Sequence, residues 1–205
     1  MKVVIMAGGK GTRIQSIASD IPKPMIPING IPVLEIEICS LKKQGFDDFI
    51  ITVGHLADCI IDYFGDGSKW NVHIEYYRET TPLGNAGALF KLNLEDDFLL
   101  IIGDALFDID FNRMISYHRD KGGLVTIFTH PNSHPYDSGV VLADNNKAVL
   151  SWLNKEDDRP EYYKNRVNAG IHILSPKVLK MSGINAGEVG TEIDGKILKV
   201  DLDRQ

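Results

Sequence analysis

The sequence predicts an α/β fold organised around a doubly wound, mixed sheet. Three observations point there. Short apolar runs alternate with helical stretches through roughly the first hundred residues. The runs Val3–Ala7 and Phe98–Ile102 are apolar throughout, the pattern of strands buried on both faces. Both stop at glycine, Gly8-Gly9 and Gly103-Asp104, where a doubly wound sheet places its ligand beyond the strands' carboxyl ends.

Each element has its own signal. Val3 to Ala7 reads as the first strand. Pro22, Pro24 and Pro27 exclude a regular helix through the segment that follows. Pro32 suits a first helical turn, and the spacing of Leu34, Ile38 and Leu41 carries the helix to about Gly45. Phe49 to Val53 is a second buried strand, Ala57 to Phe64 a second helix and Val72 to Tyr76 a third strand. Gly84 to Leu92 reads as a helix before the strand Phe98 to Ile102. Phe111 to Lys121 reads as a helix capped by Asp110. Leu124 to Thr129, Gly139 to Ala143, Val149 to Leu153 and Val167 to Leu174 read as strands, a strand-rich half that closes over the ligand. Glu156 to Glu161 is a solvated loop. The chain has no internal repeat and no low-complexity tract.

Composition narrows the function. Apolar residues are 43% and charged residues 24%, ordinary for a globular domain, and 205 residues suit one domain or one with a small appendage. The formal net charge is −6, with no basic stripe, which argues against a nucleic-acid partner. A local loop can still hold a small anion. The apolar run at the N-terminus is too short for a signal peptide, and no later run is long enough to cross a bilayer. The expected location is therefore the cytoplasm, with no membrane partner. Cys39 and Cys59 belong to no CxxC pair and read as buried free thiols in a reducing compartment.

The segment after the first strand is a recipe for phosphate. In Gly8-Gly9-Lys10-Gly11-Thr12-Arg13, glycines let backbone approach a ligand, and successive N–H groups face an anion. It is not a P-loop, because GxxxxGK[ST] is absent. It is not the dinucleotide fingerprint, because Ile14 stands at the third glycine position. A tight turn alone would explain a lone GxG.

The longer string says more. Met6-Ala-Gly-Gly-Lys-Gly-Thr-Arg13, followed by Pro22-Lys23-Pro24-Met25, resembles the signature of the sugar nucleotidyltransferases, or nucleoside-diphosphate-sugar pyrophosphorylases. The likeness covers nearly the whole chain. It implies a Rossmann-like fold of the nucleotide-diphospho-sugar transferase type. The implied reaction joins a nucleoside triphosphate to a sugar 1-phosphate and releases pyrophosphate, in nucleotide-sugar biosynthesis for cell-surface polysaccharide. The implied substrates are GTP and a mannose or D-glycero-D-manno-heptose 1-phosphate, with Mg²⁺ as cofactor.

The resemblance also assigns roles. Ala7, Gly8, Gly9, Gly11 and Thr12 would cradle the triphosphate. Arg13 would hold the departing phosphates, and Lys23 the α-phosphate, its direction limited by a proline on either side. Glu79-Thr-Thr-Pro-Leu-Gly-Asn-Ala-Gly-Ala88 resembles the family block that lies against the nucleobase, which brings in Pro82, Leu83, Gly84, Asn85 and Gly87; Asn85 stands where the guanylyltransferase version has Thr. Asp104, in Ile101-Ile-Gly-Asp104, would bind the metal, since Mg²⁺ prefers carboxylate plus phosphate oxygens. For the sugar, Gly139, Asn154, Lys155, Asn168 and Gly170 match family positions, with Asn154 replacing a Glu. Taken without the resemblance, Lys23 is a solvated lysine, the 79–88 block a packing turn and Asp104 a turn cap.

Other features and readings stay on the table. His130 and His134 are four apart, but Pro131 and Pro135 break any shared helical face, so they read as loop histidines. Trp70 and Tyr76 read as packing residues. The resemblance makes residues 1–205 one nucleotidyltransferase domain that stops short of the family's usual C-terminal end, where a second metal-binding Asp lies. Asp201 and Asp203 precede that segment. That departure keeps a non-catalytic nucleotide or sugar-nucleotide sensor as the alternative, and leaves a further domain after Gln205 and a homo-oligomer open. A nicotinamide-dependent oxidoreductase, suggested by strand-GxG, is disfavoured by Ile14.

Overall fold

The computed structural model describes residues 1–9, 20–81, 87–132, 139–154 and 156–181, with the backbone of two later strands, Val189–Ile193 and Lys196–Val200. The order is β1 (Val3–Ala7), β2 (Pro27–Ile28), β3 (Ile31–Pro32), α1 (Val33–Lys43), β4 (Asp48–Val53), α2 (Ala57–Phe64), β5 (His73–Arg78), β6 (Phe98–Ile102), α3 (Phe111–Lys121), β7 (Val125–His130), β8 (Val140–Ala143), β9 (Val149–Leu153), β10 (Val167–Leu174), β11 (Val189–Ile193) and β12 (Lys196–Val200). The central sheet runs β5-β4-β1-β6-β10-β8-β9, with β7 also paired to β10. β5, β4, β1 and β6 are parallel, and β10 joins β6 antiparallel. The mixed sheet expected from the sequence is therefore present. No helix among the described residues is long and apolar enough to cross a membrane.

Two apolar clusters sandwich the parallel strands. Val3, Ile5, Phe49, Ile51, Leu99 and Ile101 face one cluster with Leu34, Ile38 and Leu41 of α1, Ala57 and Ile60 of α2 and Phe111 of α3. The alternate residues Val4, Ile50, Phe98 and Leu100 face the other, with Leu89 and Leu94. Burial on both faces explains why these strands read as unbroken apolar runs. Phe111 anchors the start of α3 edge-on between Phe46 and Phe107, with ring centroids 6.0 and 5.2 Å away.

Chain direction then fixes the functional end. From β1 the chain moves outward through β4 and β5, then returns to place β6 on β1's other side. The crevice beyond the carboxyl ends of β1 and β6 is thus the topological switch point, where open α/β sheets bind ligands.

Helix α1 holds one wall of that crevice. Glu37 Oε1 accepts a hydrogen bond from the Ala105 N–H at 2.9 Å. At the helix end, Gln44 Oε1 accepts from the Phe111 N–H at 2.9 Å, and Gln44 Nε2 donates to the Ile109 carbonyl at 2.9 Å. The segment between β6 and α3 is thereby pinned at both ends. Asp110 then caps α3, accepting from the Arg113 N–H at 3.0 Å, as expected.

Two expectations need correction. The helix expected over Gly84 to Leu92 is helical, in its described part, from Gly87, and its last turn, Ala88–Lys91, is 3-10 rather than α. Leu92 is extended (φ −85°, ψ 143°), which ends the turn. The cysteines are free but not buried: Cys39 is half-buried and Cys59 exposed. Cys59 lies on the outer side of α2, whose Ala57, Ile60 and Phe64 face the sheet. Trp70 does pack, against Phe64 and Tyr63, and the Tyr76 hydroxyl donates to the Gly65 carbonyl at 2.8 Å.

Glu37 carries a stability consequence. It is 1% exposed, and its Oε2 has no hydrogen-bond partner. Burial pushes its carboxyl up from 4.5 to about 9; the Ala105 N–H opposes the rise, and the charge of Asp104 adds to it. The folded protein therefore binds this proton more tightly than the unfolded chain. The stabilisation is whole below the unfolded value of 4.5 and is lost as pH rises through about 9. Glu37→Gln keeps an acceptor for Ala105 and removes the titration. In metal-free buffer, the variant's advantage in denaturant midpoint should widen steadily from acid to alkaline pH. A constant gap would show that Glu37 ionises freely.

Candidate active site

The carboxyl ends of β1, β4 and β6 meet at glycines. Gly54, just after β4, lies so close to Gly8 that a Cβ on it would come within 2.8 Å of the Gly8 carbonyl oxygen. A Cβ on Gly8 would meet Glu79 Oε1 at 2.7 Å, and one on Gly103 would meet Ile5 Cγ2 at 2.9 Å. Gly9 has open space around it. Ala7 is buried at the end of β1. The chain thus leaves a crowded floor at Gly8 and reaches open space at Gly9.

Lys23 and Asp104 meet across this crevice. Lys23 opens a 3-10 turn, Lys23–Met25, closed by the Met25 N–H donating to the Pro22 carbonyl at 2.7 Å. Its Nζ forms an ion pair with Asp104 Oδ2. Asp104 follows Gly103, whose N–H continues the ladder to the Met6 carbonyl at 2.9 Å. The side chains are 38% and 21% exposed, so a ligand can reach both charges. A solvated lone lysine and a plain turn cap are thereby replaced by a cation and an anion facing each other at the switch point.

The 79–88 block, expected at the nucleobase, begins beside this floor. The Glu79 N–H donates to the Val53 carbonyl at 2.8 Å, fixing the block's first residue to the end of β4. Its last part, Gly87 to Leu89, is buried beneath the sheet, where Leu89 packs with Val4 and Leu100.

Strand pairing gathers the sugar candidates. Val140 lies opposite Val167 and opposite Leu153. Gly139, Asn154 and Asn168, each one residue along from that row, therefore sit at neighbouring strand ends. Ile171 of β10 pairs with Ile101 of β6, so the start of β10 lies toward the Asp104 end of the sheet. A Cβ on Gly139 would overlap the Trp152 indole. Gly170 lies inside β10, at φ +73°, and a Cβ there would meet Ile102 Cδ1 at 2.7 Å. Lys10, Gly11, Thr12, Arg13, Pro82, Leu83, Gly84, Asn85, His134, Lys155, Asp201 and Asp203 lie outside the described residues.

A nucleotidyl transferase family profile matches residues 2–199. The chain belongs to the nucleotidyl transferase family. It is 38% identical over 195 residues to a UTP–glucose-1-phosphate uridylyltransferase of Synechocystis, covering 87% of this chain and 50% of that protein. It is 28% identical over 188 residues to a D-glycero-alpha-D-manno-heptose 1-phosphate guanylyltransferase of Aneurinibacillus thermoaerophilus, covering 90% of this chain and 79% of that one. The crystal structure of HddC from Yersinia pseudotuberculosis complexed with GMP-PN is 28% identical, with a TM-score of 0.72 over 89% of this chain and 80% of that chain. The chain spans about half the length of the uridylyltransferase it matches.

In a nucleotidyl transferase, the donor set at Asp104 suits a metal shared with substrate. Among the described residues, no group of three or more His, Cys, Asp or Glu side chains could hold an ion unaided. One accessible carboxylate at the sheet end fits Mg²⁺, which takes few protein ligands and completes its shell with phosphate oxygens and water. Sequence reading missed Gly54, Glu37, His172 and the placement of Glu79 over Gly8. Glu37 had a signal, being an acid on the apolar stripe of Leu34, Ile38 and Leu41. Gly54 had only a position, the residue after a buried strand.

The glycines separate by what surrounds them. Gly54→Ala pushes a methyl against fixed backbone and should cost about 1–3 kcal/mol of unfolding free energy. Gly9→Ala meets open space and should change it by no more than about 1 kcal/mol. Denaturant titration of both variants checks the contrast, and equal losses would contradict it.

Proposed function

We propose that the protein transfers a nucleotidyl group, GMP from GTP, to a sugar 1-phosphate of the heptose or mannose type, releasing pyrophosphate. The observation that carries this reading is the Lys23–Asp104 pair at the switch point, beside the loop that leaves β1. A lysine and a carboxylate at that place suit a reaction between two anions. The guanylyltransferase relatives and the HddC complex support GTP, and the 38% identical uridylyltransferase supports UTP as the competing donor.

The chemistry needs little acid–base help. The sugar phosphate carries most of its second charge near neutral pH, so its oxygen can attack without a general base. A bond forms from that oxygen to the α-phosphorus of the triphosphate, and the bond from the α-phosphorus to the bridging oxygen breaks. Pyrophosphate leaves with the electron pair. Lys23 exchanges Asp104 for an α-phosphate oxygen and stabilises charge as it develops. Arg13 holds the departing phosphates. Bound at Asp104, Mg²⁺ would supply charge neutralisation on the triphosphate. Asn154, Lys155 and Asn168 orient the sugar phosphate for in-line attack. The action is cytoplasmic, where nucleoside triphosphates are available.

A coupled pyrophosphate-release assay in Mg²⁺ tests the reading, with GTP, UTP, CTP, dTTP and ATP each offered heptose, mannose and glucose 1-phosphates. The GTP pairs with heptose or mannose phosphate should be fastest; a preference for UTP with glucose 1-phosphate would replace the specificity assigned above. Lys23→Ala and Asp104→Asn should each lower kcat/KM by about 10²–10³. Nucleotide binding by calorimetry without turnover for any pair would favour the sensor.

A further inference from the structure

His172 is a buried group that the reaction above does not use. It lies mid-strand on β10 opposite Leu100, in a run of Ile171, Ile173 and Leu174. It is 1% exposed, and burial lowers its pKa from 6.5 to about 4, so the ring is neutral near physiological pH. Its Nε2 lies 3.0 Å from Asn168 Oδ1, and its Nδ1 has no hydrogen-bond partner.

The proton positions follow from the backbone. Between Asn168 and His172, β10 advances four residues while β7 advances two, from Thr129 to Ile127. This bulge is closed by the Gly170 N–H, which reaches the Asn168 side chain at 3.0 Å. A backbone N–H can only donate, so the atom facing it is the amide oxygen. That oxygen has no proton to give, so the neutral imidazole must carry its proton on Nε2 and donate as well. Both contacts of Asn168 Oδ1 are then spent inside the protein. The NH₂ group of this half-buried side chain takes part in neither contact.

We propose that His172 is a positioning residue that holds the Asn168 amide in one of its two flips, so that residue 168 meets the sugar 1-phosphate as a hydrogen-bond donor only. Its target is an oxygen with a free lone pair on that substrate, a hydroxyl or a phosphate oxygen. A group that can only donate would be refused. The inference rests on the sugar-phosphate role given to Asn168, but the lock itself is a property of the free protein.

Two measurements keep these apart. Long-range proton–nitrogen NMR of the labelled wild-type protein should find His172 neutral, with its proton on Nε2, across the physiological pH range. A proton on Nδ1, or a doubly protonated ring, overturns the lock whatever the enzyme does. In steady-state assays, His172→Phe keeps a ring but loses the donor. It should raise KM for the sugar 1-phosphate by about five- to tenfold, with kcat and the KM for nucleotide nearly unchanged. His172→Gln, which can donate from the place of Nε2, should restore most of the loss. A rise in both KM values together, or no rescue by Gln, overturns the positioning role. If the wild type turns over no substrate pair, the proposed function has failed, and the NMR result still decides the lock. If His172→Phe does not fold, the Gln variant and the NMR of the wild type carry the decision.

Discussion

Close approach of backbone at one end of the sheet is the constraint on which the rest depends. Gly54 and Gly8 bring the ends of β4 and β1 into backbone contact, and Gly103, just after β6, packs against Ile5 and the Met6 carbonyl of β1. Because backbone fills that floor, the chain meets open space at Gly9, and Asp104 stands just beyond the neighbouring strand β6. The two apolar clusters hold the strands rigidly enough for this approach to persist. α1 adds the remaining restraint, fixing the far side of the crevice through Glu37 and Gln44.

The charges in the crevice are arranged for exchange rather than for stability. Lys23 and Asp104 satisfy each other across partly exposed surface, where an ion pair contributes little to folding. Each is therefore free to change partner, as the proposed reaction requires. The buried polar groups nearby behave in the opposite way. Glu37 and His172 are held neutral by burial and act as hydrogen-bonding groups of fixed direction. Mobile charge faces the ligand, and fixed neutral groups stand behind it.

Strands were legible in the sequence wherever both faces are buried, because an apolar run of that length has few other uses. β1, β6 and β10 begin and end where the sequence reading puts them, and so does the half-exposed β9. So do α2 and α3, each with a distinct apolar stripe or cap. The 3-10 form of Ala88–Lys91 was not legible, because small and apolar residues suit an α-helical turn and a 3-10 turn equally well. Cys59 was misread because its neighbours in sequence are apolar while its side of α2 faces outward. Lys23 and Asp104 were legible through a motif. Nothing in either motif says that the two side chains touch.

The sequence by itself determined the strand–helix alternation, the family and the residue types offered to phosphate and sugar. These are local properties, written in periodicity, glycine placement and short strings. Tertiary structure alone decided that Lys23 neutralises Asp104, that Glu79 lies over Gly8 and that the Gly170 N–H and His172 together hold the Asn168 amide oxygen. Each joins segments through sheet order, or through a bulge whose extra residues no periodicity announces. Burial, the physical cause of the neutral Glu37 and His172, is likewise a property of the packed molecule and not of any one segment.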